Sequence, residues 1–292
     1  MQGQLEHLTF QLPGVSIHAA AAGPKAGPLA VLLHGYPEFW YGWRSQIVPL
    51  AEAGFRVIAP DQRGYNESSK PEGWRPYQAH HLVGDVLGIA DALARERFCL
   101  AGHDWGGIIA WASALAHPER IERLAVLNAP HPRVFQDYIR THPAQILRSW
   151  YMFFMQIPWL PEFLFEAANF RFMTEALVNS SRPGTFSQQD LEKYCEAWRK
   201  PGAPTAMINW YRTLRAARPI SNPAVSVPVK ILWGAQDRFL AADMARLSLQ
   251  FCQRGELQMF PNATHWLQHE EPAAVSDALI AFFSASWPSK QA

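Results

Sequence analysis

Gly102-His103-Asp104-Trp105-Gly106 sets an acid between two glycines, in a frame that turns a strand into a helix. The run before it, Phe98-Cys99-Leu100-Ala101, predicts a buried strand; the run after it, Gly107-Ile108-Ile109-Ala110-Trp111-Ala112, predicts a helix packed through small residues. Flanking glycines allow a sharp turn and a strained backbone angle at the central residue, so its side chain stands alone above the sheet edge beside a helix N-terminus. A carboxylate in that position needs no deprotonation to attack, because an aspartate ordinarily ionises at about pH 3.9. The product of attack is an alkyl ester, so the expected target is an sp3 carbon bearing a leaving group, as in an epoxide or an alkyl halide. The same frame also suits an aspartate that only caps a helix.

Two further groups complete a nucleophile, acid, histidine order. Asp237 follows the apolar run ending Leu232-Trp233-Gly234, and His265 lies in the loop after Glu256-Leu257-Gln258-Met259-Phe260. In a parallel sheet the C-terminal strand ends share one edge, so Asp104, Asp237 and His265 can converge although distant in sequence. His265 is then the base that activates water, and Asp237 fixes its tautomer and stabilises the imidazolium. Taken singly, Asp237 also suits a helix cap and His265 an ordinary loop histidine. The segment His34-Gly35-Tyr36-Pro37 ends another strand. A cis Tyr36-Pro37 bond would aim the Tyr36 N–H into the site, where with the N–H of Trp105 it could form an oxyanion hole; His34 is expected to hold the loop.

Positioning these groups takes a particular order of elements. Residues 7–18 alternate around Pro13-Gly14 and predict a hairpin. Leu29-Ala30-Val31-Leu32-Leu33, Phe55-Arg56-Val57-Ile58-Ala59, Leu124-Ala125-Val126-Leu127-Asn128 and Val227 to Gly234 read as strands, with helical spacing over residues 43–53, 79–93 and 271–283. Strand and helix alternate, which predicts an α/β fold with a mostly parallel central sheet flanked by helices. Between residues 133 and 218 the chain is rich in Trp, Phe, Tyr, Arg and Pro, helical in period and without a convincing strand, which predicts an inserted all-helical lid. The expected organisation is a core from 1–132, a lid from 133–218 and the rest of the core from 219–292.

Composition excludes several classes of function. With 49% hydrophobic and 17% charged residues and a formal net charge of +1, the chain is neither disordered nor a polyanion binder, so no nucleic-acid partner is expected. Cys99, Cys195 and Cys252 are far apart, which fits a reducing compartment and argues against a disulfide framework. The start, Met1-Gln2-Gly3-Gln4-Leu5-Glu6-His7, lacks a basic and apolar leader, and no apolar stretch is long enough to span a bilayer; a cytoplasmic protein is expected. His103, His131 and His269 have no spacing that suits a metal, and no cofactor is expected.

With these motifs in view, the chain resembles the epoxide hydrolase branch of the α/β-hydrolase superfamily, close to the soluble epoxide hydrolases. The resemblance runs from His34-Gly35-Tyr36-Pro37-Glu38-Phe39-Trp40-Tyr41-Gly42-Trp43-Arg44 through Asp61-Gln62-Arg63-Gly64-Tyr65 and the Asp104 frame to His265-Trp266. It implies the α/β-hydrolase fold with a helical cap, and conversion of a lipophilic epoxide and water to a vicinal diol through an aspartyl ester. The core motifs are shared with haloalkane dehalogenases, so the leaving group is decided in the lid. Family epoxide hydrolases hold the epoxide oxygen with two lid tyrosines, and the matching segments here contain Tyr151 and Tyr211. A phenol that ionises near pH 10 can donate a proton to a developing alkoxide, whereas halide needs none. Fluoroacetate-type dehalogenases carry their acid where this chain has Asn128, which leaves Asp237 as the acid.

Phe39, Trp40, Phe153, Met155, Trp159 and Trp266 are expected to line an apolar pocket with Trp105. A haloalkane dehalogenase and a non-catalytic small-molecule receptor on the same fold remain the alternatives, and either a monomer or a homodimer fits.

Overall fold

The computed structural model describes residues 5–216 and 223–285. The chain opens with an antiparallel hairpin, β1 (Glu6–Leu12) and β2 (Val15–Ala22), followed by β3 (Leu29–Leu33), α1 (Arg44–Glu52) and β4 (Arg56–Pro60). Then come α2 (Ala79–Ala92), β5 (Phe98–His103), α3 (Trp105–Ala116) and β6 (Ile121–Leu127). Among the described residues seven α-helices follow without a strand: α4 (Pro132–Thr141), α5 (Pro143–Arg148), α6 (Trp150–Phe154), α7 (Leu160–Glu166), α8 (Arg171–Ser180), α9 (Gln188–Trp198) and α10 (Ala203–Arg212). The chain closes with β7 (Val225–Gly234), α11 (Asp243–Leu249), β8 (Cys252–Phe260), α12 (Leu267–Glu270) and α13 (Pro272–Ser284).

All eight strands form one sheet in the order β1-β2-β4-β3-β5-β6-β7-β8. The β1–β2 and β2–β4 pairs are antiparallel and the remaining pairs are parallel. The continuous apolar runs arise because both faces of the central strands are covered. Along β3, Leu29, Val31 and Leu33 join the core under α2 and α3, while Ala30 and Leu32 join the core under α1 and α13. The second face carries several small residues, Ala59, Ala101 and Ala125 among them, and Leu50, Leu279 and Phe282 belong to the core on that side. Leu100 is fully buried, and its truncation to alanine would cost about 2–5 kcal/mol.

The helical stretch between β6 and β7 sits where the lid was expected; the expected end at residue 218 lies outside the described residues, as do Met1 to Gln4. It is fastened to the core by side chains: Trp198 Nε1 donates to the Pro37 carbonyl at 2.6 Å, and Trp210 Nε1 to that of Arg63 at 3.0 Å. Helix α11 had no counterpart in the sequence reading, being short and without a side-chain cap to mark its start. Among the described residues no helix is long and apolar enough to cross a membrane.

Candidate active site

Asp104 stands between the last residue of β5 and the first of α3, with φ 51° and ψ −121°. That conformation costs an L-residue about 1–3 kcal/mol. The turn is held by Asp104 N–H donating to the Leu127 carbonyl at 3.2 Å and by the Asp104 carbonyl accepting from Ile108 at 3.0 Å. Its glycines are required by space: a Cβ on Gly102 would lie 2.3 Å from the Gly106 carbonyl oxygen, and one on Gly106 2.3 Å from that of Leu33.

The loop after β3 closes over the carboxylate. Tyr36 N–H donates to Asp104 Oδ1 at 2.9 Å, and the Tyr36-Pro37 bond is cis as expected. Gly35 allows the approach, since a Cβ there would lie 2.5 Å from that of Asp104. His34 anchors this loop as expected: Nδ1–H donates to the Gly35 carbonyl at 2.8 Å and Nε2 accepts from Gln62 N–H at 3.0 Å. Burial sets the His34 pKa below the ordinary value, outweighing the bond to the Gly35 carbonyl, which favours the charged ring. Trp105, the other expected oxyanion donor, is the first residue of α3, directly after the carboxylate.

His265, buried in the loop after β8, lies with Nε2 3.5 Å from Asp104 Oδ2 and Nδ1 2.7 Å from Asp237 Oδ2. Asp237 follows β7, and its Oδ1 accepts the N–H groups of Phe239 at 2.7 Å and Leu240 at 3.0 Å. The three expected groups therefore meet at one sheet edge. Burial disfavours the His265 imidazolium, but the carboxylates of Asp237 and Asp104 outweigh it and push the pKa up to about 10. Burial likewise opposes the Asp104 charge, yet the His265 imidazolium holds that carboxyl below its ordinary range.

One residue of this cluster was not anticipated as a partner. Asn128 follows β6 with φ 41°, a left-handed conformation that asparagine tolerates. Its Nδ2 donates to Asp237 Oδ2 at 2.7 Å and its Oδ1 accepts Gly234 N–H at 2.9 Å. Its position at a strand end beside Asp104 and Asp237 was the available signal.

Tyr151 from α6 and Tyr211 from α10 meet edge to face, with ring centroids 5.8 Å apart. Both border, with Asp104, two cavities that meet at the carboxylate: a narrow one of about 170 Å3 and a wide one of about 1000 Å3. Burial first, and then nearby groups including Asp104, raise both phenols well above their ordinary pKa, so they remain protonated.

Met155 and Trp266 line the narrow cavity and Phe153 the wide one. Phe39, Trp40 and Trp159 line neither. Phe39 is buried against Tyr41 and Tyr194, Trp40 packs on His7 and Phe39, and Trp159 is 72% exposed. Met173, Leu177 and Phe239, unforeseen, take their place on the narrow wall.

The sequence profile of the alpha/beta hydrolase fold family matches residues 28–272. An AB hydrolase superfamily protein of Bacillus subtilis is 44% identical over 92% of this chain and 94% of its own length. Epoxide hydrolase 4 of Homo sapiens is 39% identical over 92% of this chain and 76% of its own. The crystal structure of the Bacillus megaterium epoxide hydrolase with an inhibitor superposes with a TM-score of 0.87 at 28% identity, covering 95% of this chain and 100% of that one.

Proposed function

The chain belongs to the epoxide hydrolase branch of the α/β-hydrolase fold family, and from that membership we infer that it opens a lipophilic epoxide with water through an ester on Asp104. The observation that carries this reading is the junction at Asp104, where one carboxylate faces Tyr36 N–H, His265 and the paired rings of Tyr151 and Tyr211.

In the first step Asp104 Oδ2 attacks a ring carbon while the carbon–oxygen bond breaks on the opposite side. The departing oxygen takes a proton from Tyr151 or Tyr211, and the resting His265 imidazolium restores that phenol. Esterification removes the Asp104 charge just as His265 loses its proton. The imidazole is then neutral when a base is needed, and the summed charge of Asp104, His265 and Asp237 is unchanged. In the second step His265 takes a proton from water, whose oxygen adds to the ester carbonyl carbon. The former Oδ1 becomes the oxyanion, held by the N–H of Tyr36 and, in this reading, of Trp105. Collapse breaks the bond between the acyl carbon and the former Oδ2, which leaves with the proton of the added hydroxyl as the second hydroxyl of the vicinal diol; the carboxylate returns and His265 stays protonated. The narrow cavity, whose walls include Phe154, Phe165, Met173 and Leu177, supports the lipophilic class.

The test is a single turnover of styrene oxide by excess enzyme in oxygen-18 water, with mass analysis of diol and peptide. Label in Asp104 and an unlabelled first diol are expected. Label in the first diol with an unlabelled peptide means that water attacks directly, and halide release from haloalkanes without diol formation means the dehalogenase alternative.

A further inference from the structure

Glu38 and His103 belong to the two motifs that build the site, yet neither takes part in the steps above. The Glu38 side chain is fully buried. A carboxylate withdrawn from water costs several kcal/mol unless donors surround it. Four do. Oε1 accepts from Tyr194 Oη at 2.8 Å and His269 Nε2 at 2.6 Å; Oε2 lies 3.1 Å from both Gln268 Nε2 and His103 Nδ1. Arg44 donates to His269 Nδ1 at 2.8 Å, which leaves His269 the proton it gives to Glu38. Burial opposes the Glu38 charge, but His269 and His103 outweigh it and hold the carboxyl well below its usual range. Gly42 leaves room for the group: a Cβ there would lie 2.7 Å from Glu38 Oε1.

The far side of His103 meets the catalytic loop. Its Nε2 lies 2.8 Å from the main-chain carbonyl of His265, and since a carbonyl only accepts, that nitrogen carries a hydrogen. The ring has no exposure, and its other nitrogen is confined by Glu38 and Gln268. A carboxylate oxygen likewise only accepts, so the Nδ1 that meets Glu38 carries a hydrogen too, and a chain of three bonds runs from Tyr194 on α9 through Glu38 and His103 to the His265 backbone. Asp104, next to His103, and His265 are the pair whose separation sets the water-activation geometry.

Resting on the two-step reading above, we propose that Glu38 is a positioning residue: through His103 it fixes the His265 main chain, and through Tyr194 it makes that fix depend on the cap being seated. Ester formation needs Asp104 and the tyrosines; His265 enters it only to restore the phenol after the ring has opened, and abstracts no proton. Ester hydrolysis needs His265 aimed at a water beside the ester carbonyl. Loosening the Glu38 cluster therefore acts on the second step. Because kcat/KM reports ester formation and kcat then reports ester decay, the two constants separate.

The test uses Glu38→Gln and Tyr194→Phe in the full chain, with styrene oxide, following the ester by intact-protein mass after rapid quench. Glu38→Gln is expected to slow ester decay about 10- to 100-fold, the range that misplacement by about 1 Å produces, with ester formation within about 3-fold of wild type. Tyr194→Phe, which deletes one hydroxyl and spares the fold, is expected to slow decay about 3- to 10-fold. In both variants the ester accumulates and KM falls with kcat. Unchanged decay in both variants, or a parallel fall of kcat and kcat/KM, overturns the proposal and leaves Glu38 a purely structural acid. Absence of any ester in wild type under the same quench overturns the two-step reading itself, and this inference with it.

Discussion

Asn128 and His265 bond to the same oxygen of Asp237, each at 2.7 Å. The acid that orients the histidine is thereby fixed from β6 as well as from its own loop. Asn128→Ala removes that donor and the acceptor for Gly234 N–H. The expected outcome is about a 10-fold lower kcat with a loss of about 1–3 kcal/mol in stability, read from steady-state kinetics and urea unfolding. Asn128→Asp would set a second carboxylate against Asp237 and lower activity further.

His265→Gln keeps the nucleophile and removes the base. Incubation with an epoxide should add the substrate mass to the intact protein, stable for hours, with diol formation at least about 10^3-fold slower than wild type. A variant that turns over normally would take His265 out of the reaction.

Tyr151→Phe and Tyr211→Phe each delete one phenol from the pair above Asp104. Each single change should lower kcat/KM for epoxides about 10^2-fold, and the double change should leave almost no ring opening. Because both phenols ionise well above their ordinary value, they should contribute no alkaline limb of their own. Full activity in the double variant would assign both rings to packing.

The two pKa shifts predict different pH profiles for the two constants. In the free enzyme Asp104 is depressed, so the attacking carboxylate survives as pH falls past the ordinary carboxylate range. His265 is raised to about 10, so its imidazolium is present up to that pH and lost above it. In the ester the Asp104 charge is gone, and the His265 pKa drops from its free-enzyme value. Ester decay, which needs the neutral ring, should rise with pH through that lower pKa. The acid limb of kcat should therefore lie at higher pH than the acid limb of kcat/KM, measured with one substrate across both profiles.

Leu177→Trp would fill the narrow cavity. Epoxides with an aryl or long alkyl substituent should lose at least about 10-fold in kcat/KM while a small epoxide keeps most of its rate, as competition assays would show.

Much of this was legible in sequence because strong local constraints mark it. Leu29–Leu33 could only be a strand covered on both sides, and glycines at 102 and 106 around an acid leave few alternatives to the elbow. Local signal fails where a neighbour is remote. Asn128 finds Asp237 only because β6 lies beside β7, 109 positions later in the chain. Aromatic residues carry no mark of the side they face: Trp266 is buried at the narrow cavity while Trp159, equally aromatic, lies in a left-handed turn facing solvent. The cap helices set those directions through packing that no short motif encodes.

The two cavities that meet at Asp104 differ about six-fold in volume, near 170 and 1000 Å3. An epoxide with one slim and one bulky substituent fits across the carboxylate in one direction only. Its two mirror-image forms, laid in that same direction, point their ring oxygens to opposite sides, and only one side holds the tyrosines. Unequal arms thus convert bulk into handedness, so a racemic mixture of such a substrate should be consumed unevenly, leaving one enantiomer behind.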